Sequence, residues 1–467
     1  MTNKLKLVQR IAAIALCVFI NHSVYYGQTP NTESTQEVVR LRSRIDLKNP
    51  RHFAFSPVSK LLAVHREDGS VQIIDVVDGR EQTVLPLSDK AAYYDMQWTT
   101  DGLRLLVVNS KSAALWDARR GTRLSAPIEI KRKKFFLGLD HVKLSPNERL
   151  FLNLKENDTI KTRFLEKDNF RAQVWDLESG RMRYEIKING LEGHAKFSPD
   201  GKLLLTTSNT DDAKLWDVET GRLFAVLNPP AFTVLCGGAY AEFSPDGRFV
   251  VVQRYGCAAW VWDSSTALLK NTVSNHKDDT GSAFLGFTPD GKHFAMARKR
   301  LKGWSIITTV EVRECETGEL RSTLTDRKWE EWPQYVLWGN DGRTFVATSG
   351  YKYKGRVWDV STGRLKATIP MVLTYSRIPF VFGSKDRDEL SIHPTLPVIS
   401  ATSNKMVRLW NADTGELMQT LENTGGAGEW SADGKLFLSS TNKRTVLFVW
   451  DVVGEAVVTR PRSVASY

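Results

Sequence analysis

From about residue 38 onward the apolar positions of this chain fall in short runs separated by clusters of Gly, Pro, Asp, Asn and Ser, a pattern of strands and turns. Residues 197–223, FSPDGKLLLTTSNTDDAKLWDVETGRL, are representative. Ser198-Pro199-Asp200-Gly201 is a turn: Pro presets its φ, Asp bonds its own backbone, and Gly accepts a positive φ. LLLTTS then reads as a buried strand, NTDD as a second turn, AKLWD as a strand, VETG as a third turn and RLFAVL as a last strand. With the residues before Phe197, the stretch predicts a four-stranded antiparallel meander.

The meander is repeated. Its turn glycine recurs at Gly102, Gly201, Gly247, Gly291, Gly342 and Gly434. FSPVSKLLAV from Phe55, LSPNERLFLNL from Leu144 and IHPTLPVISATS from Ile392 are copies without that glycine. The third strand gives an independent tally: IID, LWD, VWD, LWD, VWD, VRE, VWD, LWN and VWD, ending at Asp451. Both tallies reach nine, and fixed-period repetition of this kind predicts stacked or circular repeats.

Six of those strands end in a literal Trp-Asp pair: Trp116-Asp117, Trp175-Asp176, Trp216-Asp217, Trp262-Asp263, Trp358-Asp359 and Trp450-Asp451; a seventh ends in Trp410-Asn411. In this the chain resembles the WD-repeat family of β-propellers, over nearly its whole length. The resemblance implies an all-β fold, a single β-propeller of four-stranded antiparallel blades spanning residues 38–460, in which these Trp and Asp residues are structural. Nine repeats most simply make nine blades, with seven or eight blades plus accessory repeats as the alternative. Closure of such a ring needs a strand from the other terminus, and VVRLRSRIDL, from Val38 to Leu47, suits a place beside FVWDVV. One departure is that Gly193-His194 lies only three residues before Phe197, nearer than the family's Gly-His pair. Blades held by aromatic packing, with little of the family's buried His-Ser-Asp-Trp network, are therefore expected.

Composition adds a compartment and a charge. Lys4, Lys6 and Arg10 precede the apolar run IAAIALCVFI, followed by a polar stretch, the layout of a secretory signal peptide over residues 1–28. The run is about half of the roughly 20 residues a spanning helix needs, so no transmembrane anchor is expected in the mature chain. Residues 29–37 and 461–467 read as a flexible lead and tail. The protein is expected to be exported, periplasmic or secreted, with no nucleic-acid partner. Its net charge of +11 falls little on losing three cations with the leader, which favours acidic partners. Of the cysteines left, Cys236 and Cys257 both belong near the top of the fifth repeat, where a disulfide or two packed thiols are the alternatives; Cys315 replaces an apolar residue.

Catalytic chemistry is not legible. GFTPDGKH, residues 286–293, approaches a phosphate-binding loop, but His293 stands where Ser or Thr would ligate magnesium, and the segment coincides with a repeat turn. His52, His141 and His194 each sit three residues before a turn position on an inner strand, without metal-ligand spacing. Quinoprotein dehydrogenases are also propellers with a D-x-x-T-G turn, but the Trp expected a few residues after Thr-Gly is missing here. No catalytic residue, metal or cofactor is expected.

Unusual segments collect in the connections on one face, the top, where second strands turn into third strands and blades join. They include KRKK (131–134), RKRLKGW (298–304), RKWEEWPQY (327–335) and GYKYKGR (350–356). Basic residues Arg298, Lys299 and Arg300 interleaved with Trp304, Trp329, Trp332, Tyr351 and Tyr353 make the sector of the sixth and seventh repeats the candidate partner-binding surface, against the plainer alternative of a solvated rim. The expectation is a non-catalytic interaction scaffold. The alternatives are a cofactor- or ion-dependent propeller enzyme and a module for acidic polysaccharides or other polyanions.

Overall fold

The structure, a computed structural model, describes residues 37–453 apart from 48–49, 59, 88–94, 110, 131–141, 157–169, 191–192, 209–211, 229–238, 255–257, 275–278, 303–304, 327–332, 350–353, 371–389, 404–405, 426–427 and 442–444. The expected leader and tail, and the expected flexible lead apart from Glu37, fall outside them. Among the described residues no helix is long and apolar enough to cross a membrane.

Nine four-stranded antiparallel sheets follow one another along the chain. Blade 1 runs from 50 to 85, blade 2 from 95 to 129, blade 3 from 142 to 188, blade 4 from 193 to 227 and blade 5 from 239 to 273. Blade 6 runs from 279 to 325, blade 7 from 333 to 370, blade 8 from 390 to 422, and blade 9 from 428 to 452. In blades 1 to 8 the strands lie in chain order from inner to outer edge. Blade 9 takes its outer strand from the other end of the chain: Val39–Asp46 pairs antiparallel with Val446–Val452, setting Val39 opposite Val452 and Asp46 opposite Val446. The strand anticipated at Val38–Leu47 therefore closes the last blade.

A sheet buried on both faces needs neighbours on both sides. Nine hydrophobic clusters supply them, one at each junction of consecutive blades. Leu61, Ile73 and Leu85 of blade 1 pack on Trp98, Leu105 and Trp116 of blade 2. The series runs on to blades 8 and 9, where Leu409 and Leu421 meet Trp430 and Phe437. The ninth cluster joins Leu436, Leu438 and Val449 of blade 9, with Ile45 of the closing strand, to Leu62, Val64 and Ile74 of blade 1. The contacts return to their start, so the ring has nine blades and is closed.

The repeated lettering builds the turns. Ser198 Oγ accepts the N–H of Leu203 at 2.9 Å and donates to Asp200 Oδ1 at 2.6 Å, while Gly201 takes φ 73°. The same box forms at Ser145, Ser244 and Ser431. In blade 8, whose copy lacks the serine, His393 holds the turn by different bonds: its Nδ1 accepts from the N–H groups of Thr395 and Leu396, and its Nε2 lies 2.9 Å from the Gly434 carbonyl of blade 9. Burial lowers its pKa below the ordinary histidine value.

The Trp-Asp pairs are structural in the same local sense. Asp217 Oδ1 accepts the Thr220 N–H at 2.8 Å and its hydroxyl at 2.6 Å, capping the turn to the outer strand. Those bonds hold the carboxyl below its usual range. Asp176, Asp263 and Asp359 cap equivalent turns, Asp117 accepts two backbone N–H groups, and Asn411 does the same. The tryptophans are wholly or mostly buried between blades, Trp358 completely. Trp216 Nε1 donates to Thr206 Oγ1 and Trp450 Nε1 to Ser439 Oγ, each at 2.8 Å. Thr206 and Ser439 sit two residues beyond the one opposite the Trp, a position occupied by Val107, Val252, Ala347 and Ala401 in blades 2, 5, 7 and 8. Trp116, Trp262 and Trp410 accordingly have no indole acceptor among the described residues.

Candidate partner-binding face

Blade 6 stands taller than its neighbours on the top face. Its second strand, His293–Lys302, and third strand, Ser305–Glu314, have ten residues each, against five to seven in the described second and third strands of the other blades. They pair without interruption from His293 opposite Glu314 to Lys302 opposite Ser305. The sequence reading of RKRLKGW as a loop is corrected: Arg298 to Lys302 are strand. SIITT opposite them is rich in β-branched residues, which suit a pleated ribbon.

The base of this ribbon is an ionic core. Arg298 is fully buried, its Nη1 2.6 Å from Asp279 Oδ2 and its Nε 2.7 Å from Glu311 Oε2. Its Nη2 donates to the Ser274 carbonyl at 3.1 Å. Arg300, about a third exposed, bridges the same two carboxylates at 2.9 Å each, and Arg313 adds a contact to Glu311 at 2.9 Å. Burial works to raise the Glu311 pKa; Arg298 and Arg313 outweigh it and leave the carboxyl lowered. Arg298 is thus not available to a partner, which corrects its place in the predicted surface. A guanidinium with no solvent path is held by paired carboxylates, as buried charge must be.

Two further buried arginines tie blades together along the same sector. Arg254 of blade 5 reaches Asp212 of blade 4 at 3.0 Å, and Arg356 of blade 7 reaches Asp326, just past the outer strand of blade 6, at 2.8 Å. Sequence reasoning missed these pairs. The available signal was an arginine at the end of an otherwise apolar strand, as in FVVVQR.

Of the other predicted surface residues, Lys299 is partly exposed on the ribbon. Trp304, Trp329, Trp332, Tyr351 and Tyr353 lie outside the described residues, as do Cys236, Cys257 and His141. Cys315 is buried, and its thiol donates to the Gly291 carbonyl at 3.3 Å; burial pushes its pKa far up. His194 is exposed on its inner strand and His52 half-buried. The phosphate-loop lookalike is a blade turn, with Thr288 Oγ1 donating to Asp290 and accepting the His293 N–H.

Two recesses among the described residues lie on the bottom side. One of about 540 Å³ between blades 3 and 4 sets Arg149, Arg181, Arg183 and Lys202 against Asp176, Asp200, Asp217 and Glu219. Arg183 pairs with Glu219 at 2.6 Å, and the three aspartates are committed to turn bonds. The other, about 330 Å³, lies beside the inner strands of blades 3 to 5 and contains a Lys196–Glu242 pair at 3.1 Å. Among the described residues no group of three or more His, Cys, Asp or Glu is arranged to hold a metal ion.

A closed ring of nine four-stranded blades, seven of them carrying a third-strand Trp that packs between blades, is a WD-repeat-like propeller. Two comparisons agree at that level. Apoptotic protease-activating factor 1 of Danio rerio, a WD-repeat protein, is 24% identical over 178 residues, covering 36% of this chain; the chain spans 13% of that relative's length. A crystal structure of the eukaryotic initiation factor superposes with a TM-score of 0.60 at 14% identity, over 84% of this chain and 93% of that one, a likeness of fold. The computationally designed Ika8 protein gives a TM-score of 0.45 at 13% identity, over 89% of this chain and all of that one. No protein-family profile matches the sequence.

Proposed function

We propose that this propeller is a non-catalytic, exported scaffold that holds a protein partner, preferentially an acidic one, on the top face around blades 6 and 7. The observation that carries the reading is the blade 6 ribbon, ten residues per strand and fixed at its base by Arg298, Asp279 and Glu311. A rigid projection loses little conformational entropy on binding, which is what a docking arm requires. The basic and aromatic character of Lys299, Trp304, Trp329, Trp332, Tyr351 and Tyr353 supplies anchors and steering. Export rests on the leader-like residues 1–28 and would be tested by N-terminal sequencing of the protein recovered from its cell, with a start near residue 29 expected.

The test of the scaffold is capture of partners at moderate salt by the native chain and by a chain with Lys299, Trp304, Trp329 and Trp332 changed to Ala, Arg298 being kept for the fold. Proteins held by the first and lost by the second, with circular dichroism unchanged, are the expected outcome. Equal retention by both removes the top-face assignment. Retention that tolerates any polyanion and collapses with salt would favour recognition of an acidic polymer instead.

A further inference from the structure

A propeller hides its sheet faces but leaves one open edge per blade, the outer strand, and open edges invite pairing with other chains. Eight of the nine outer strands carry a charged residue within the strand: Glu81, Glu129, Arg183, Lys270, Arg321, Lys366 and Glu422 in blades 1, 2, 3, 5, 6, 7 and 8, and three arginines in the closing strand of blade 9. Blade 4 does not. Its outer strand, Leu223–Leu227, reads LFAVL, with Leu223, Phe224 and Val226 at 49, 45 and 43% exposure. Where the corresponding strand of blade 6 exposes Arg321 and Thr323, this one exposes Phe224 and Val226. The bulge at Phe224 recurs in blades 1 and 3 to 8 and does not set this edge apart.

We infer that the outer strand of blade 4 pairs antiparallel with the same strand of a second copy of this chain, across a two-fold axis at Ala225, joining two rings rim to rim through an eight-stranded sheet. The occupant follows from the missing charge. A foreign strand can answer a lysine with a glutamate, so an edge that receives one has no need to be neutral throughout. In a two-fold pairing the central residue faces itself and each other residue faces the one on the far side of the axis, so a lone charge, as in the outer strands of blades 5 to 8, meets either its own copy or an uncharged side chain. LFAVL satisfies that pairing: Ala225 meets Ala225, Phe224 meets Val226, and Leu223 meets Leu227, all apolar, with small residues at the axis. The net charge of +11 makes two copies repel elsewhere, and this is the outer strand without a cation or an anion.

The experiment is sedimentation velocity of the full chain from low to high micromolar concentration, with three variants whose folding is checked by thermal melting. The native chain is expected to dimerise. Phe224→Lys alone, and Val226→Glu alone, are expected to be monomeric, since each places a charge against an apolar side chain. The double variant F224K/V226E sets Lys against Glu twice across the axis and is expected to dimerise again, which association through any other surface would not reproduce. A native chain that stays monomeric overturns the inference, as does a dimer indifferent to the single changes or a double variant that stays monomeric. None of these residues belongs to the top face, so the outcome is independent of the scaffold reading.

Discussion

At His393 an imidazole stands where other blades have a hydroxyl and ties the turn through different bonds, and the exchange carries a pH dependence. The ring accepts two backbone N–H groups at Nδ1, which requires that nitrogen unprotonated, and Nε2 then donates to the Gly434 carbonyl. Burial lowers its folded-state pKa below the unfolded value of about 6.5. The folded chain therefore binds fewer protons than the unfolded chain just below that pH. The stability contributed by the neutral ring is present above about pH 6.5 and is lost as pH falls through the folded value. Urea midpoints for His393→Ser are expected to change less between pH 7 and pH 5 than those of the native chain; an unchanged difference would sink the assignment. The tryptophans give a second prediction at this scale. Ala401→Ser places a hydroxyl where Thr206 and Ser439 serve their own blades, and Trp410 Nε1 has no acceptor among the described residues. A gain of about 0.5–1.5 kcal/mol in unfolding free energy is expected, and a loss of that size would show that the hydroxyl does not reach the indole. The Trp-Asp lettering was legible because Asp117, Asp176, Asp217, Asp263 and Asp359 bond within a few residues of themselves. The sparse indole acceptors were legible too, since Val107, Val252 and Ala401 stand in plain view once the strands are aligned.

The element that sequence reasoning misjudged is the blade 6 ribbon. A run of basic residues between two strands reads as a loop, because charge is usually solvated and local propensity contains no sign of Asp279, a partner on another strand. The ionic core reverses that reading: Arg298 belongs to the interior, and Asp279 and Glu311 make its burial tolerable. Arg298→Ala is expected to destabilise the chain by about 3–5 kcal/mol, because Asp279 and Glu311 lose their fully buried partner while Arg300 reaches them only from its partly exposed side. Arg300→Ala should cost about 1 kcal/mol or less, since that side chain is partly exposed and its contacts are screened. Denaturant unfolding of the two variants decides the ranking; equal losses would mean that the ribbon does not depend on the buried pair.

Across the whole molecule the period of the repeat carried most of the architecture, because a blade is a local object whose four strands are almost consecutive in sequence. Closure is the exception, joining residues some 400 positions apart, and it was legible only through the apolar alternation of VVRLRSRIDL and the need for a ring to have no unsatisfied end. The nine junction clusters convert that need into structure, ending with Ile45 and Val449 against Ile74. Rigidity of the platform follows from it, since an open arc would flex at its ends. The measurement that tests this most directly is a disulfide across the closing pair, with Arg44→Cys and Phe448→Cys, which face each other in the register. Opposed residues of antiparallel strands lie about 4.5–5.5 Å apart at Cα, within disulfide range. The closed nine-bladed ring predicts rapid oxidation, peptides linked through residues 44 and 448 by mass spectrometry, and a melting temperature raised in the oxidised form and restored by reductant. Two thiols that stay free and react separately with a maleimide, without any shift in melting, would contradict it.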